Sequence, residues 1–142
     1  MNQLSFTQQI HLAKDIGFIA LGSPERMTKR AGALPSIQTM EDVVRRLSEP
    51  SDKIVAYLFD VIRVSDHTID SLANFGFTQE ILNAVEAVTM REGESYTMCV
   101  IRARKNIVGR RVMLEYLREN IRKCKSTADL LKHSRAVVNL VG

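Results

Sequence analysis

The sequence of 142 residues predicts an all-α domain of about seven helices. Apolar residues recur along most of the chain at the three- and four-residue spacing that the buried side of a helix shows. Nowhere do four or more residues alternate cleanly between apolar and polar, as a half-buried strand would require. Serine and threonine precede most of the apolar runs, where they can cap helix N-termini. The length suits a single domain over residues 1–142.

Composition and charge indicate a soluble protein. Hydrophobic residues make up 45% and charged residues 25%, ordinary values for a globular domain. No apolar run approaches the roughly 20 residues that cross a bilayer, and residues 1–4 lack a basic region followed by an apolar stretch. Cys99 and Cys124 are far apart and share no metal-like spacing. We therefore expect a cytoplasmic protein with reduced thiols and no membrane association.

The first helix is predicted from a cap at Ser5 or Thr7 to about Leu21, where residues 22–24 contain Gly and Pro and end it. Residues 25–38 show no sustained period and predict a long loop. Loops of this length in compact domains are often functional.

Two helices follow the loop. Thr39 starts a short one that ends near Pro50, with the carboxylate of Asp42 near its positive N-terminal end. Ser51 then caps a central helix that we expect to run to about Ser65.

Five more helical segments complete the chain, and the first of them is brief. They are predicted over residues 68–72, 78–88, 95–106 and 108–123, and from residue 126 onward. The segment around residues 91–94 interrupts the helical pattern and predicts a turn.

Asp60 stands out in the central helix. Apart from Asp60, all residues between Lys53 and Arg63 are apolar or amphipathic, so the helix should be buried on all sides. An ionised, unpaired carboxylate there would cost several kcal/mol. Asp60 must therefore be neutral, ion-paired or bound to a metal, and Arg63 lies on the same helical face three residues on.

Positive charge concentrates in residues 102–125, which hold nine basic residues against Glu115 and Glu119 within a net charge of +4. Helical spacing scatters these residues around the axis, which favours solvated outer faces. Nucleic-acid binding is an alternative that predicts steep weakening of binding by salt. Only Tyr116 interleaves with the basic residues, so stacking on single strands has little support.

Four stretches resemble the small bacterial HD-domain phosphohydrolases, relatives of the hydrolase half of the alarmone (p)ppGpp synthetase/hydrolases. They comprise residues 55–62, 68–72 and 86–96, and residues 106–120, which resemble that family's Asn-x-x-x-Arg-x-Val-Lys-Leu-Ala-Asp-Leu-x-Asp-Asn stretch. The resemblance covers roughly residues 28–120 in order. It implies an HD-domain-like helical bundle.

The resemblance also implies a metal site, and here this sequence departs from the family. In such enzymes a His, the adjacent His-Asp pair and a later Asp hold a divalent ion, usually manganese, which activates water. These four positions fall on Thr39, Phe59, Asp60 and Tyr116. The Glu-Asp pair associated with proton and water handling falls on Arg63 and Val64. Only Asp60 keeps a family ligand.

Two interpretations of Asp60 follow. It could be a residual metal ligand, or a buried carboxylate that pairs with Arg63 or another basic group. The second is favoured, because one carboxylate cannot hold a divalent ion against water. The ring of Tyr116 could fill the vacated pocket and make it more apolar.

Candidate anion-binding residues are Lys29 and Arg30, which resemble a basic loop that approaches the nucleotide in alarmone hydrolases, and Asn120, which matches the family's Asp-Asn pair. A loop with two basic residues is more often simply solvated. Gly93 and Ser95 match the family as well, but a turn followed by a helix cap explains them.

The histidines and the first cysteine offer no catalytic site. His11, His67 and His133 share no short spacing with other ligand-type residues, so each is expected to be a surface or partly buried residue. Cys99 has no base near it in sequence and is expected to pack in the core.

The sequence therefore predicts a degenerate HD-domain protein, a pseudoenzyme with no cofactor. It would act as a binding or regulatory module for a nucleotide-like anion or a protein partner. One alternative is an active manganese-dependent hydrolase of (p)ppGpp or related nucleotides with relocated ligands. The second alternative is a basic nucleic-acid-binding protein. The sequence does not indicate an oligomeric state.

Overall fold

A computed structural model describes residues 4–22 and 36–142, and within these ranges the chain forms nine helices and no strand. One of them, α4, is a single turn. The helices are α1 (Phe6–Gly22), α2 (Ile37–Arg46), α3 (Pro50–Leu58), α4 (Val61–Val64), α5 (Ile69–Phe75), α6 (Gln79–Val88), α7 (Tyr96–Arg104), α8 (Ile107–Lys123) and α9 (Thr127–Val141). The prediction of an all-α bundle is confirmed.

Helix α3 lies at the centre of the bundle, packed against α1, α2, α6 and α8. Its Ile54, Val55, Ala56 and Leu58 are fully buried. Burial of a side chain such as leucine or isoleucine contributes about 1.5–3 kcal/mol. Other helices surround this segment, so all of its faces are buried, as its apolar sequence predicts.

Close contact between α1 and α3 depends on Gly17. A Cβ atom at this position would overlap the carbonyl oxygen of Tyr57 and lie 3.2 Å from the sulfur of Met40. Only glycine lets the two backbones approach this closely.

The start of α2 differs from its prediction. The N-cap is Ser36, whose hydroxyl accepts a hydrogen bond from the Thr39 NH at 3.1 Å. Thr39 therefore lies in the first turn, and residues 37 and 38, predicted as loop, are helical. Both Ser36 and Thr39 are acceptable caps, and in the observed helix the Ile37 side chain packs against the core.

The start of α3 also differs. Glu49 is its N-cap and Pro50 its first residue, so the predicted cap Ser51 lies inside the first turn and is buried. Proline suits this position because its φ is already helical and its missing NH is not needed there. Asp52, in the same turn, is also buried.

The predicted continuous helix from Ser51 to Ser65 is wrong, because α3 ends at Leu58 and α4 begins at Val61. Between them Asp60 has φ −110° and ψ 5°. A continuous helix would direct the Ala56 carbonyl to the NH of Asp60. Instead this carbonyl accepts a bond from the Tyr116 hydroxyl at 2.7 Å and a longer one from the Phe59 NH at 3.5 Å.

Three later helices have serine or threonine caps at their N-termini. Thr68 forms a reciprocal capping box with Ser71, and the hydroxyls of Ser95 and Ser126 each accept a bond from an NH three residues on. Helix α7 ends earlier than predicted, at Arg104, because Asn106 caps α8 by accepting from the Gly109 NH at 2.8 Å. In the described part of the chain, no helix has both the length and the apolarity needed to cross a membrane.

Candidate functional site

The aromatic rings of Phe59 and Tyr116 stack where the end of α3 meets the middle of α8. Their centroids are 4.1 Å apart and their planes differ by 20°. Phe59 follows the end of α3, and Tyr116 lies in the middle of α8, so the stack joins two helices distant in sequence. These are two of the four positions to which the resemblance assigns metal ligands.

The hydroxyl of Tyr116 is committed to the backbone. It donates to the Ala56 carbonyl oxygen at 2.7 Å, and only 3% of the residue is exposed. Burial raises the pKa of Tyr116 well above its usual value, and the nearby Asp60 carboxylate raises it further. The phenol is therefore neutral at physiological pH, and its proton points at a carbonyl.

Asp60 is paired with Arg63, as the sequence predicts. The Arg63 guanidinium nitrogen lies 3.6 Å from a carboxylate oxygen of Asp60, which is 6% exposed. Asp60 is the N-cap of α4 and Arg63 lies in its single turn, so the two residues meet at the start of that helix. Val64, to which the resemblance assigns the second residue of the family's catalytic pair, is fully buried.

Thr39, the fourth predicted ligand position, takes part in a different polar contact. Its hydroxyl accepts a hydrogen bond from the Lys123 ammonium at 2.8 Å. Lys123 also lies 3.4 Å from Asp42, one turn after Thr39 in α2. Thr39 is thus part of a contact between the first turn of α2 and the end of α8.

These residues do not fit a divalent metal ion. Phe59 has no donor atom, the Tyr116 phenol is neutral and already bonded, and the Asp60 carboxylate faces a guanidinium. Manganese and related ions require several carboxylate, imidazole or water ligands together. Within residues 4–22 and 36–142, no three His, Cys, Asp or Glu side chains converge as such a ligand set.

A buried ionic cluster lies one turn beyond Tyr116, around Glu119. Only 2% of Glu119 is exposed, and its carboxylate is paired with Arg46 of α2, with Arg122 at 2.6 Å and with Lys123 at 3.5 Å. The i+3 and i+4 spacing of the last two is visible in the sequence. The contact with Arg46, which is 73 residues away, is not visible in the sequence.

A second ionic contact lies on the other side of Tyr116. Arg111 of α8 donates two hydrogen bonds to the Asp52 carboxylate, at 2.7 and 2.9 Å. This is the bidentate geometry that makes arginine–carboxylate pairs strong. The Arg111 side chain is 43% exposed, in agreement with its predicted place on an outer face of the helix. Its partner Asp52 is buried in the first turn of α3, and the sequence does not reveal this pairing.

The turn that precedes α7 is held by Arg102, another residue predicted to be solvated. Its guanidinium donates to the carbonyl oxygens of Glu86, Ala87 and Thr89 at the end of α6. It also pairs with Glu94 at 2.6 Å, and this guanidinium is the main reason that the pKa of Glu94 falls to about 2.

The structural interpretation of this turn is confirmed. Gly93 has a positive φ of 76°, and the Ser95 hydroxyl caps α7 by accepting from the Met98 NH. The positive φ of Gly93, the cap formed by Ser95 and the ion pair of Glu94 therefore explain why these residue types occur in this turn.

The other candidates have ordinary environments. His11 is exposed, and His67 and His133 are partly buried, as predicted. Cys99 is 2% exposed in the core, and burial raises the pKa of its thiol, which agrees with a packing role.

Two further predictions concern anion binding. Asn120 is partly buried on α8, directly after Glu119. Lys29 and Arg30 lie outside the described residues.

No protein-family model matches this sequence, and a search of curated proteins finds no significant match. The relation to HD-domain phosphohydrolases therefore rests on the ordered motifs described above. It remains a prediction.

Proposed function

We propose that this protein is a degenerate HD-domain protein that binds a ligand without metal-dependent phosphohydrolysis. The stack of Phe59 on Tyr116 carries this proposal, because aromatic carbons occupy two positions where the resemblance implies metal ligands. The pairing of Asp60 with Arg63 supports it as well. A cation from within the chain lies beside the carboxylate that would otherwise require a metal.

Restoring a metal at this place would have several costs. The ring pair would have to separate, and such a pair contributes about 0.5–1.5 kcal/mol beyond the area that it buries. The Tyr116 hydroxyl would have to leave the Ala56 carbonyl, with a further loss of about 1 kcal/mol. Both losses oppose the entry of a metal.

A nucleotide-like anion is the ligand that the charge distribution favours. At the ends of α2 and α8, the four cationic residues Arg45, Arg46, Arg122 and Lys123 surround two carboxylates, those of Asp42 and Glu119. The side chains of Arg46, Arg122 and Lys123 are 41%, 49% and 45% exposed, so each can reach a second anion. Four cations against two carboxylates leave an excess of two positive charges, which suits a phosphate or pyrophosphate group.

Hydrolysis can be tested directly. Purified protein is incubated with guanosine polyphosphates and manganese, and released pyrophosphate or phosphate is measured. We expect no release above that of a buffer control. Turnover that depends on manganese would contradict the proposal and support an active hydrolase with relocated ligands.

Anion binding can be tested with a matched pair of variants. Arg122 and Arg118 each pair with a glutamate three residues earlier on α8, but only Arg122 belongs to the Glu119 cluster. We expect Arg122→Gln to weaken pyrophosphate binding about tenfold, the effect of losing one charge-assisted contact, and Arg118→Gln to leave it nearly unchanged. Equal effects of both variants, or no binding by the unmodified protein, would contradict this part of the proposal.

A further inference from the structure

A groove runs between α7 and α9, on residues that the proposed function does not use. It has a volume of about 470 Å³. Its apolar lining includes Tyr96 and Val100 of α7, and Leu131 and Ala136 of α9. A concave, mainly apolar site of this size is typical of ligand and peptide recognition.

The spacing of the lining residues indicates the shape of the occupant. On α9 the lining positions are 128, 131, 132, 135, 136 and 139. This is the i, i+3, i+4, i+7 pattern of one helical face, and Tyr96 and Val100 form a matching i, i+4 pair on α7. Two helix faces side by side present the kind of channel that receives a third helix.

The groove has exposed apolar side chains on its outer side. Leu131 is 50% exposed, and Val138, seven residues further along the same face of α9, is 65% exposed. A helix that lies in the groove would cover Leu131, which lines it, with its own apolar residues, and this burial is favourable.

Charge distinguishes between possible occupants. The charged residues that line the groove are Lys132 and Arg135, and both are basic. Lys132 lies over the ring of Tyr96, 4.9 Å from its centroid. No carboxylate of residues 4–22 or 36–142 lies within ion-pair distance of either side chain.

We propose that this groove docks an acidic amphipathic helix of a partner protein. Apolar residues of that helix would fill the channel between Val100 and Leu131, and its carboxylates would pair with Lys132 and Arg135. A second copy of this chain fits less well, because its equivalent face carries the same two cations, and contact of the face with itself would bring like charges together. This inference does not depend on the proposed anion site or on the loss of metal chemistry.

The experiment measures binding of a fluorescent peptide by anisotropy. The probe has about 16 residues, with leucine at helical i, i+3, i+4 and i+7 spacing and glutamate at most other positions. A peptide of the same composition in scrambled order tests the need for an amphipathic face. A third peptide with lysine in place of glutamate tests the sign of the charge.

The protein variants form a matched pair. Lys132→Glu and Lys14→Glu each reverse a lysine that lies over an aromatic ring, that of Tyr96 in the groove and that of Phe18 on α1. Both lysines are exposed, so both variants should fold. We expect Lys132→Glu to weaken binding of the acidic probe about tenfold, while Lys14→Glu changes it little.

Reversing both groove charges provides the strictest test. Lys132→Glu combined with Arg135→Glu should bind the lysine peptide in preference to the acidic one. Failure of the acidic probe to saturate the unmodified protein would overturn the proposal, as would equal binding of the scrambled peptide. Binding of anionic vesicles or of oligonucleotides in place of the peptide, lost in the same double variant, would assign the groove to another partner and also overturn it.

Discussion

The middle of α8 and its two flanks bury their polar groups in different ways. In the middle, Tyr116 stacks on Phe59 and donates its hydroxyl proton to a backbone carbonyl. On either side, Arg111 and Glu119 form ionic contacts with residues of α3 and α2. Buried charge is therefore retained in this protein where the chain itself supplies the opposite charge.

This difference shows how buried polar groups can be stabilised without a metal. A buried carboxylate without a counter-ion costs several kcal/mol, so losing a metal requires a new cation or the removal of the charge. Asp60 has Arg63 beside it, and the resemblance places Phe59 and Tyr116 where ligands would otherwise stand. The flanking ion pairs hold α8 against α2 and α3.

The largest expected effect on stability comes from removing the Tyr116 side chain in the middle of α8. Tyr116→Ala should lower the free energy of unfolding by about 3–5 kcal/mol, because it removes a buried ring and leaves a cavity beside Phe59. Urea denaturation measures this. Because the contact is apolar, the loss should be the same in low and high salt. A loss below 1 kcal/mol would show that the stack contributes little.

Substitution of Arg111 should lower the free energy of unfolding by a smaller amount, and this loss should depend on salt concentration. Arg111→Ala leaves the buried Asp52 carboxylate without its bidentate partner, which should cost about 2–3 kcal/mol, since the guanidinium itself is partly exposed. Arg118→Ala removes an exposed i,i+3 pair and should cost at most about 1 kcal/mol. Equal losses in the two variants would contradict the distinction between buried and surface pairs.

A smaller effect separates the hydroxyl of Tyr116 from its ring. Tyr116→Phe keeps the stack but removes the hydrogen bond to the Ala56 carbonyl, so we expect a loss of about 1 kcal/mol in the same denaturation assay. A loss as large as that of Tyr116→Ala would mean that the hydrogen bond, and not the ring, holds α8 to α3.

The smallest expected effect on stability should disappear in acid. The pKa of Glu94 is lowered to about 2 by Arg102, so its ion pair stabilises the fold above the ordinary carboxyl pKa of 4.5. This contribution is lost as the pH falls from 4.5 towards 2. Glu94→Gln should therefore be less stable than the unmodified protein at pH 7 and approach it near pH 2. A constant difference across this range, measured by thermal unfolding, would contradict the pairing.

The sequence predicts contacts that are local and misses those that join distant segments. The Asp60–Arg63 pair, the Ser95 cap and the burial of Cys99 follow from short spacings and from hydrophobicity. The pairing of Arg111 with Asp52 spans 59 residues, and no spacing rule reveals it.

The break after α3 has a similar explanation. The apolar run around Asp60 is equally consistent with one helix or two, because hydrophobicity alone does not show a turn. The hydroxyl that reaches the Ala56 carbonyl belongs to Tyr116, 60 residues away, and only the folded structure brings the two together.

The central claim is that aromatic rings occupy the place of a metal. Its most direct test is the manganese content of protein incubated with the ion and then passed through a desalting column. We expect the unmodified protein to retain well below one equivalent. Retention of one equivalent, lost on Asp60→Asn substitution, would show that a metal is bound at this place and would contradict the claim.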